Sequence, residues 1–132
     1  MDKKNIELFI QEHTTSKEKS SSFVSYLYNL MDKHGFTNAA DLYNKANISR
    51  QLWSSIISEK SHPSLNLCIK IVFTLKLTNA ECKLLLKKAG YTLASASKYA
   101  LIVRYFLETG NYDLNELNDA LSEFGYADSL VT

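Results

Sequence analysis

Glycine and proline are scarce in this chain, with four Gly and the single Pro63 among 132 residues. Tight reversals between strands draw on both residue types, so long helices joined by short connections are favoured over a meander of strands. Cysteine is scarcer still. Cys68 and Cys82 are separated by 13 residues with no CxxC, and His13, His34 and His62 lie far apart, so neither set has metal-ligand spacing. No apolar run reaches the length of a membrane span, because Lys70 and Lys76 bracket the most apolar segment, and the N-terminus lacks the apolar core of a signal peptide. A cytoplasmic protein with no membrane partner is expected, its two thiols serving as small buried hydrophobes. There is also no Gly-rich phosphate loop and no nucleophile beside a base in any recognised motif. No enzyme, metal or cofactor is implied.

What is present is an ordinary 45% hydrophobic content, enough for one core, and a net charge of +1 that conceals an asymmetry. Residues 36–90 carry eight Lys/Arg against three Asp/Glu, a net of +5, whereas residues 91–132 carry two against six, a net of −4. This is the pattern of a basic binding module with an acidic extension, and also of chance patchiness on two solvated faces.

Residues 1–21 read as a flexible arm. Ile6, Leu8, Phe9 and Ile10 could line a short amphipathic helix, but the polar stretch from His13 to Ser22 is linker-like. From Ser22 the pattern is helical, with Phe23, Leu27, Leu30 and Met31 in register and Gly35 placed for a left-handed cap. Thr37 is positioned to cap a second helix, whose apolar positions run through Ala39, Ala40, Leu42, Tyr43 and Ala46.

The junction that follows is chemically specific. A sharp turn between helices needs a residue tolerant of positive φ, and Asn47 is the best non-glycine type for it. Ile48 would plug the corner and Ser49 would cap the next helix. At 100° per residue, Arg50, Gln51, Ser54, Ser55 and Ser58 share one arc of about 140°, and Leu52, Trp53, Ile56 and Ile57 share the other. A helix over 49–58 should therefore bury one face and present the other.

Ser64 then caps a helix with the stripe Leu65, Cys68, Ile71, Val72 and Leu75, and Thr78 with Glu81 forms a capping box for one carrying Leu84, Leu85 and Ala89. Ser95 or Ser97 opens a helix with Tyr99, Ile102, Val103 and Phe106 on one face and Leu101 and Tyr105 adding to its apolar remainder. Asp113 caps the last, with Leu114, Leu117, Leu121 and Phe124. The acids Asp113, Glu116, Asp119 and Glu123 are the usual ones near a helix start and along its wet side.

Residues 42 to 77 resemble the lambda-repressor-like helix-turn-helix family, also called the Cro or xenobiotic-response-element type. The resemblance is carried by Leu42, Ala46, Asn47, Ile48, Ser49 and Arg50, then Ile56, Pro63-Ser64-Leu65, Ile71 and Leu75. It implies an all-α fold of five helices over about residues 22–90, a third helix in the major groove, and a homodimer. A two-helix extension over 91–132 would pack on this unit. It implies base reading by Arg50 and Gln51, further groove contacts from Ser54, Ser55 and Ser58, and phosphate contacts from Asn38 and Lys60. Lys45 would add to the salt-dependent attraction. Three features depart from the family pattern: Asn47 replaces the usual turn glycine, the second helix runs one residue longer than the common pattern, which bears on the Asn38 assignment, and Glu59 stands where a small glycine follows the third helix.

Two functions follow from these residues. One is a repressor-like regulator reading double-stranded DNA, since Arg pairs two acceptors on guanine and Gln pairs adenine. The other is an interaction adaptor, antitoxin-like inhibitor or anti-repressor that keeps the scaffold without DNA readout. For the second, the acidic C-terminal helices are the candidate surface for a protein partner, with Tyr112, Phe124 and Tyr126 able either to anchor it or equally to cover the core.

Overall fold

The computed structural model describes residues 5–6, 22–93 and 97–126, so most of the expected arm, the alternative cap Ser95 and the acid Asp128 lie outside the described residues. The described residues are all-helical and hold no strand. Seven helices follow one another: α1 (Phe23–Lys33), α2 (Ala39–Lys45), α3 (Arg50–Ile57), α4 (Leu65–Leu75), α5 (Asn79–Lys88), α6 (Lys98–Glu108) and α7 (Leu114–Glu123). None is long and apolar enough to cross a membrane.

Every one of these helices starts on a short polar side chain. Ser22, Asn38, Ser49, Ser64, Thr78, Ser97 and Asp113 each accept a hydrogen bond from an amide of the first turn, which satisfies a donor the helix itself leaves open. The cap of α2 is Asn38 rather than Thr37, because its carboxamide Oδ1 reaches the Ala40 amide at 2.8 Å and sets the start one residue later. Thr78 and Glu81 complete the expected capping box at 3.1 and 3.0 Å.

The helices also stop in one way. Gly35, Asn47, Glu59, Lys76, Gly90, Gly110 and Gly125 have positive φ, and the amide after each reaches back five residues to a carbonyl at 2.8 to 3.0 Å. These are Schellman-type ends. With seven ends and four glycines, Asn47, Glu59 and Lys76 adopt the left-handed conformation at φ 58°, 62° and 57°. For Glu59 and Lys76 the strain is on the order of 1 kcal/mol each.

Helix α4 is the hub. Leu67, Cys68, Ile69, Ile71, Val72, Phe73 and Leu75 are all buried, a wider surface than the single stripe expected, because α2, α5 and the C-terminal segment cover it from different sides. Phe73 meets the rings of Phe106 and Tyr112 with centroids 6.4 and 5.8 Å away. Tyrosine hydroxyls fasten the rest: Tyr91 donates to Pro63 O at 2.8 Å, Tyr99 to Asn66 Oδ1 at 3.3 Å and Tyr112 to Leu77 O at 2.7 Å. The hub is thus pinned before, along and after its length by the chain beyond Gly90. Val103, Phe106, Leu107, Leu117 and Leu121 belong to the same core as Leu27, Leu42 and Ile56.

A buried carboxylate joins α1 to α5. Glu81, 8% exposed, accepts from Lys33 Nζ at 2.8 Å and faces His34 Nε2 at 3.3 Å. Burial alone would raise its carboxyl, but hydrogen bonds from Lys33, the Thr78 amide and His34 outweigh it and bring the pKa down to about 2. Lys33 is raised in turn by the same hydrogen bond.

Candidate nucleic-acid interface

The geometry of α3 begins at the end of α2. Asn47 turns the chain with φ 58°, the Ile48 amide closes on Tyr43 O at 2.8 Å, and the Ile48 side chain is buried in the corner. Ser49 Oγ then accepts from the Leu52 amide at 3.1 Å and starts α3 over Arg50–Ile57, with Ser58 as its last cap. The turn expected at Asn47-Ile48-Ser49 is present in each of its parts.

Helix α3 is anchored by Trp53 and Ile56, both buried, with Ile57 half-buried beside them. The Trp53 ring lies 5.8 Å from that of Tyr43, so the helix leans on α2. Full burial of two large apolar side chains contributes about 1.5–3 kcal/mol each. Leu52 does not join them. It is 42% exposed, since it stands at the edge of the apolar arc, about 100° around the axis from Trp53, and the buried arc is narrower than its four apolar residues allow. The outer face therefore consists of Arg50, Gln51, Ser54 and Ser58, with Ser55 half-buried and Leu52 at the border.

An open cleft of about 430 Å³ runs between the start of α2 and α3, lined by Asn38, Tyr43, Arg50, Trp53, Ser54 and Ser58 among others. It unites Asn38 with three of the expected α3 residues. Gln51 and Ser55 lie outside the cleft on the same helix, and Lys45 and Lys60 are not among its walls. Lys45 holds its ammonium over the Phe36 ring, 5.3 Å from the centroid, at the corner between α1 and α2. Lys60 follows α3 directly and is exposed, its backbone amide bound to Ser55 O at 2.8 Å.

The hydrogen-bonding capacity of this face is narrower than the residue names imply. Ser58 Oγ donates to Ser54 O at 2.8 Å, with Ser55 O at 3.3 Å, so toward an outside group it acts as an acceptor. Asn38 uses its Oδ1 on the Ala40 amide, which leaves its amide hydrogens as donors. Arg50 and Gln51 keep their full complement of donors for planar recognition. Sequence reasoning passed over Tyr43 and Trp53 as cleft walls and Leu52 as an exposed apolar group. The helical wheel held the signal for Trp53, because Trp53 and Arg50 are only about 60° apart around the axis at 100° per residue.

Elsewhere, Lys83 and Lys87 line a separate hollow with Leu86 and Tyr91, and Lys88 lies over the Tyr26 ring. Burial pushes the thiols of Cys68 and Cys82 up to about 12, so both stay protonated at neutral pH. Among the described residues, no group of three or more His, Cys, Asp or Glu is placed to hold a metal. No protein-family model, curated protein or solved structure matches the chain.

Proposed function

We propose that this chain is a sequence-specific DNA-binding regulator of the lambda-repressor-like helix-turn-helix class, repressor-like in mode, with α3 entering the major groove. The observation that carries the reading is α3 itself: a short helix fixed on one side by Trp53 and Ile56, with Arg50, Gln51, Ser54 and Ser58 in water on the other. Arg50 and Gln51 would read bases at the helix start, where side chains reach furthest into a groove. Ser54, Ser55 and Ser58 would meet base edges or sugar-phosphate. Asn38 would donate to a phosphate across the cleft, and Lys60 and Lys45 would supply the salt-dependent attraction. A homodimer is the binding state this reading expects.

The Glu59 carboxylate beside Lys60 works against phosphate and lowers the contribution of that loop. Specificity then rests on α3 more than on the flanking charge. Selection from a random duplex pool tests this directly. One motif should be enriched, and its binding should weaken steeply from low to moderate salt. Arg50→Ala and Gln51→Ala should each relax the preference at their own base, costing about 1–3 kcal/mol. Weak, flat binding to every duplex would instead identify an interaction module that keeps the scaffold without readout.

A further inference from the structure

Helix α6 buries Ala100, Val103, Phe106 and Leu107 and turns its opposite side outward. On that side Lys98, Leu101, Tyr105 and Glu108 recur at intervals of three, four and three residues, the spacing of a helix-pairing seam. They share an arc of about 80° at 100° per residue. Leu101 is 47% and Tyr105 65% exposed, and Phe124, the residue that caps the end of α7 and is 56% exposed, faces them across an open apolar cleft of about 500 Å³. Contiguous exposed apolar surface of this kind marks an interaction site more often than a bare wall.

We propose that this face joins two copies of the chain, with α6 crossing its two-fold mate in the antiparallel direction. The stripe is complementary to itself about its midpoint. A two-fold axis on the outer side of α6, at the level of Val103 along the helix, sets Lys98 of one copy against Glu108 of the other, five positions to either side, and Leu101 against Tyr105, two positions to either side. A parallel pairing would bring Lys98 to Lys98 and Glu108 to Glu108, which like charges oppose. Arg104 Nε holds Glu108 through Oε1 at 2.8 Å, which orients the carboxylate and leaves Oε2 for the incoming ammonium. Phe124 supplies a wall against which the Tyr105 ring of the second copy packs.

Charge favours this occupant over others. Lys98 and Arg104 are the only cations of residues 91–132, and both sit on α6, whereas α7 and its cap carry Asp113, Glu116, Asp119 and Glu123. A basic partner would be drawn to α7, and an acidic one would be repelled by it. A stripe with one positive end, one negative end and an apolar middle fits its own copy. The proposal shares with the DNA reading only the expectation of a dimer.

Sedimentation equilibrium of the full chain over a concentration series, without DNA, tests it. A monomer–dimer equilibrium is expected, weakened at least about tenfold by Tyr105→Asp, as for a central interface residue, with the helical circular dichroism unchanged. Lys98→Glu alone should weaken it, and Lys98→Glu combined with Glu108→Lys should recover most of the loss. Both are placed in an Arg104→Gln background, so that no like-charge pair arises within the helix. A chain that stays monomeric throughout, with the cleft left to an apolar ligand or another protein, overturns the proposal. So does a dimer that Tyr105→Asp leaves intact. Failure of the charge swap to recover, with Tyr105→Asp disruptive, overturns the antiparallel register. Because no duplex is present, a failed α6 interface leaves the α3 reading standing, and absent DNA binding leaves the dimer standing.

Discussion

Helices α3 and α6 each bury one side in the same core and leave the other in water, but their outward faces differ in kind. Between its anchors α3 shows Arg50, Gln51 and serines, small or planar groups with hydrogen bonds to offer. Between Lys98 and Glu108, α6 shows Leu101 and Tyr105. A polar face of this size suits a partner rich in donors and acceptors, such as the edges of base pairs, and an apolar one suits a protein surface. One scaffold thus carries two surfaces whose chemistries do not compete for the same partner.

The largest test of the comparison acts on the inner faces. Trp53→Ala and Phe106→Ala each remove a buried ring, from α3 and α6 respectively, and each should cost about 3–5 kcal/mol in urea unfolding. Equal losses would establish that both helices are integral to one cooperative unit. A much smaller loss for Phe106→Ala would separate α6 from it.

Glu81 tests the frame behind α6, since α5 packs against α1, α4 and α6. Glu81→Gln should cost on the order of 2 kcal/mol at pH 7, once the exposure of Lys33 is allowed for. The sign with pH follows from the lowered carboxyl. Its contribution is complete above the unfolded value of 4.5 and fades as the pH falls toward about 2. Chemical denaturation between pH 7 and 2 should show a drop in that window that Glu81→Gln lacks.

Smaller and opposite in sign, Glu59→Gly should raise stability by about 1 kcal/mol, because glycine relieves the left-handed strain. It should also tighten binding to any duplex at low salt by removing an acid beside Lys60. The smallest effects belong to the outer faces. At concentrations low enough for the chain to be monomeric, Arg50→Ala, Gln51→Ala and Tyr105→Asp should each shift thermal stability by no more than about 0.5 kcal/mol. The first two should alter DNA selection and not mass, and the third should alter mass and not the enriched motif.

Most helix starts and the turn before α3 were legible because they depend on neighbours in the chain, although Asn38 takes the capping role expected of Thr37. Asn47, Ser49, Ser64, Thr78 with Glu81, and Asp113 all play the roles their types and spacing imply. The polar face of α3 was legible for the same reason. Leu52 was not, since a wheel shows which side is apolar but not how much of that side a neighbour covers. Phe124 and Leu84 fall short in the same way, each apolar, on the expected helix, and exposed. Nothing in Glu59 or Lys76 announces positive φ; the bonds from Lys60 and Leu77 back to Ser55 O and Val72 O impose it. Tyr91 had no role in the sequence pattern, Tyr99 read as one face of a helix and Tyr112 as a partner anchor or core cover, and only the folded chain brings their hydroxyls to α4 and its flanks.

Those hydroxyls bear on how the chain reaches its native state. Each helix begins and ends on bonds between near neighbours, so its limits are set without help from distant segments. The tyrosine bonds span 28, 33 and 35 residues, and they form only after loops of that length have closed. Helical domains of this contact pattern fold in about microseconds to milliseconds. Here closure over α4, rather than helix formation, would be the slower event, and the last part to lock would be the segment that carries α6.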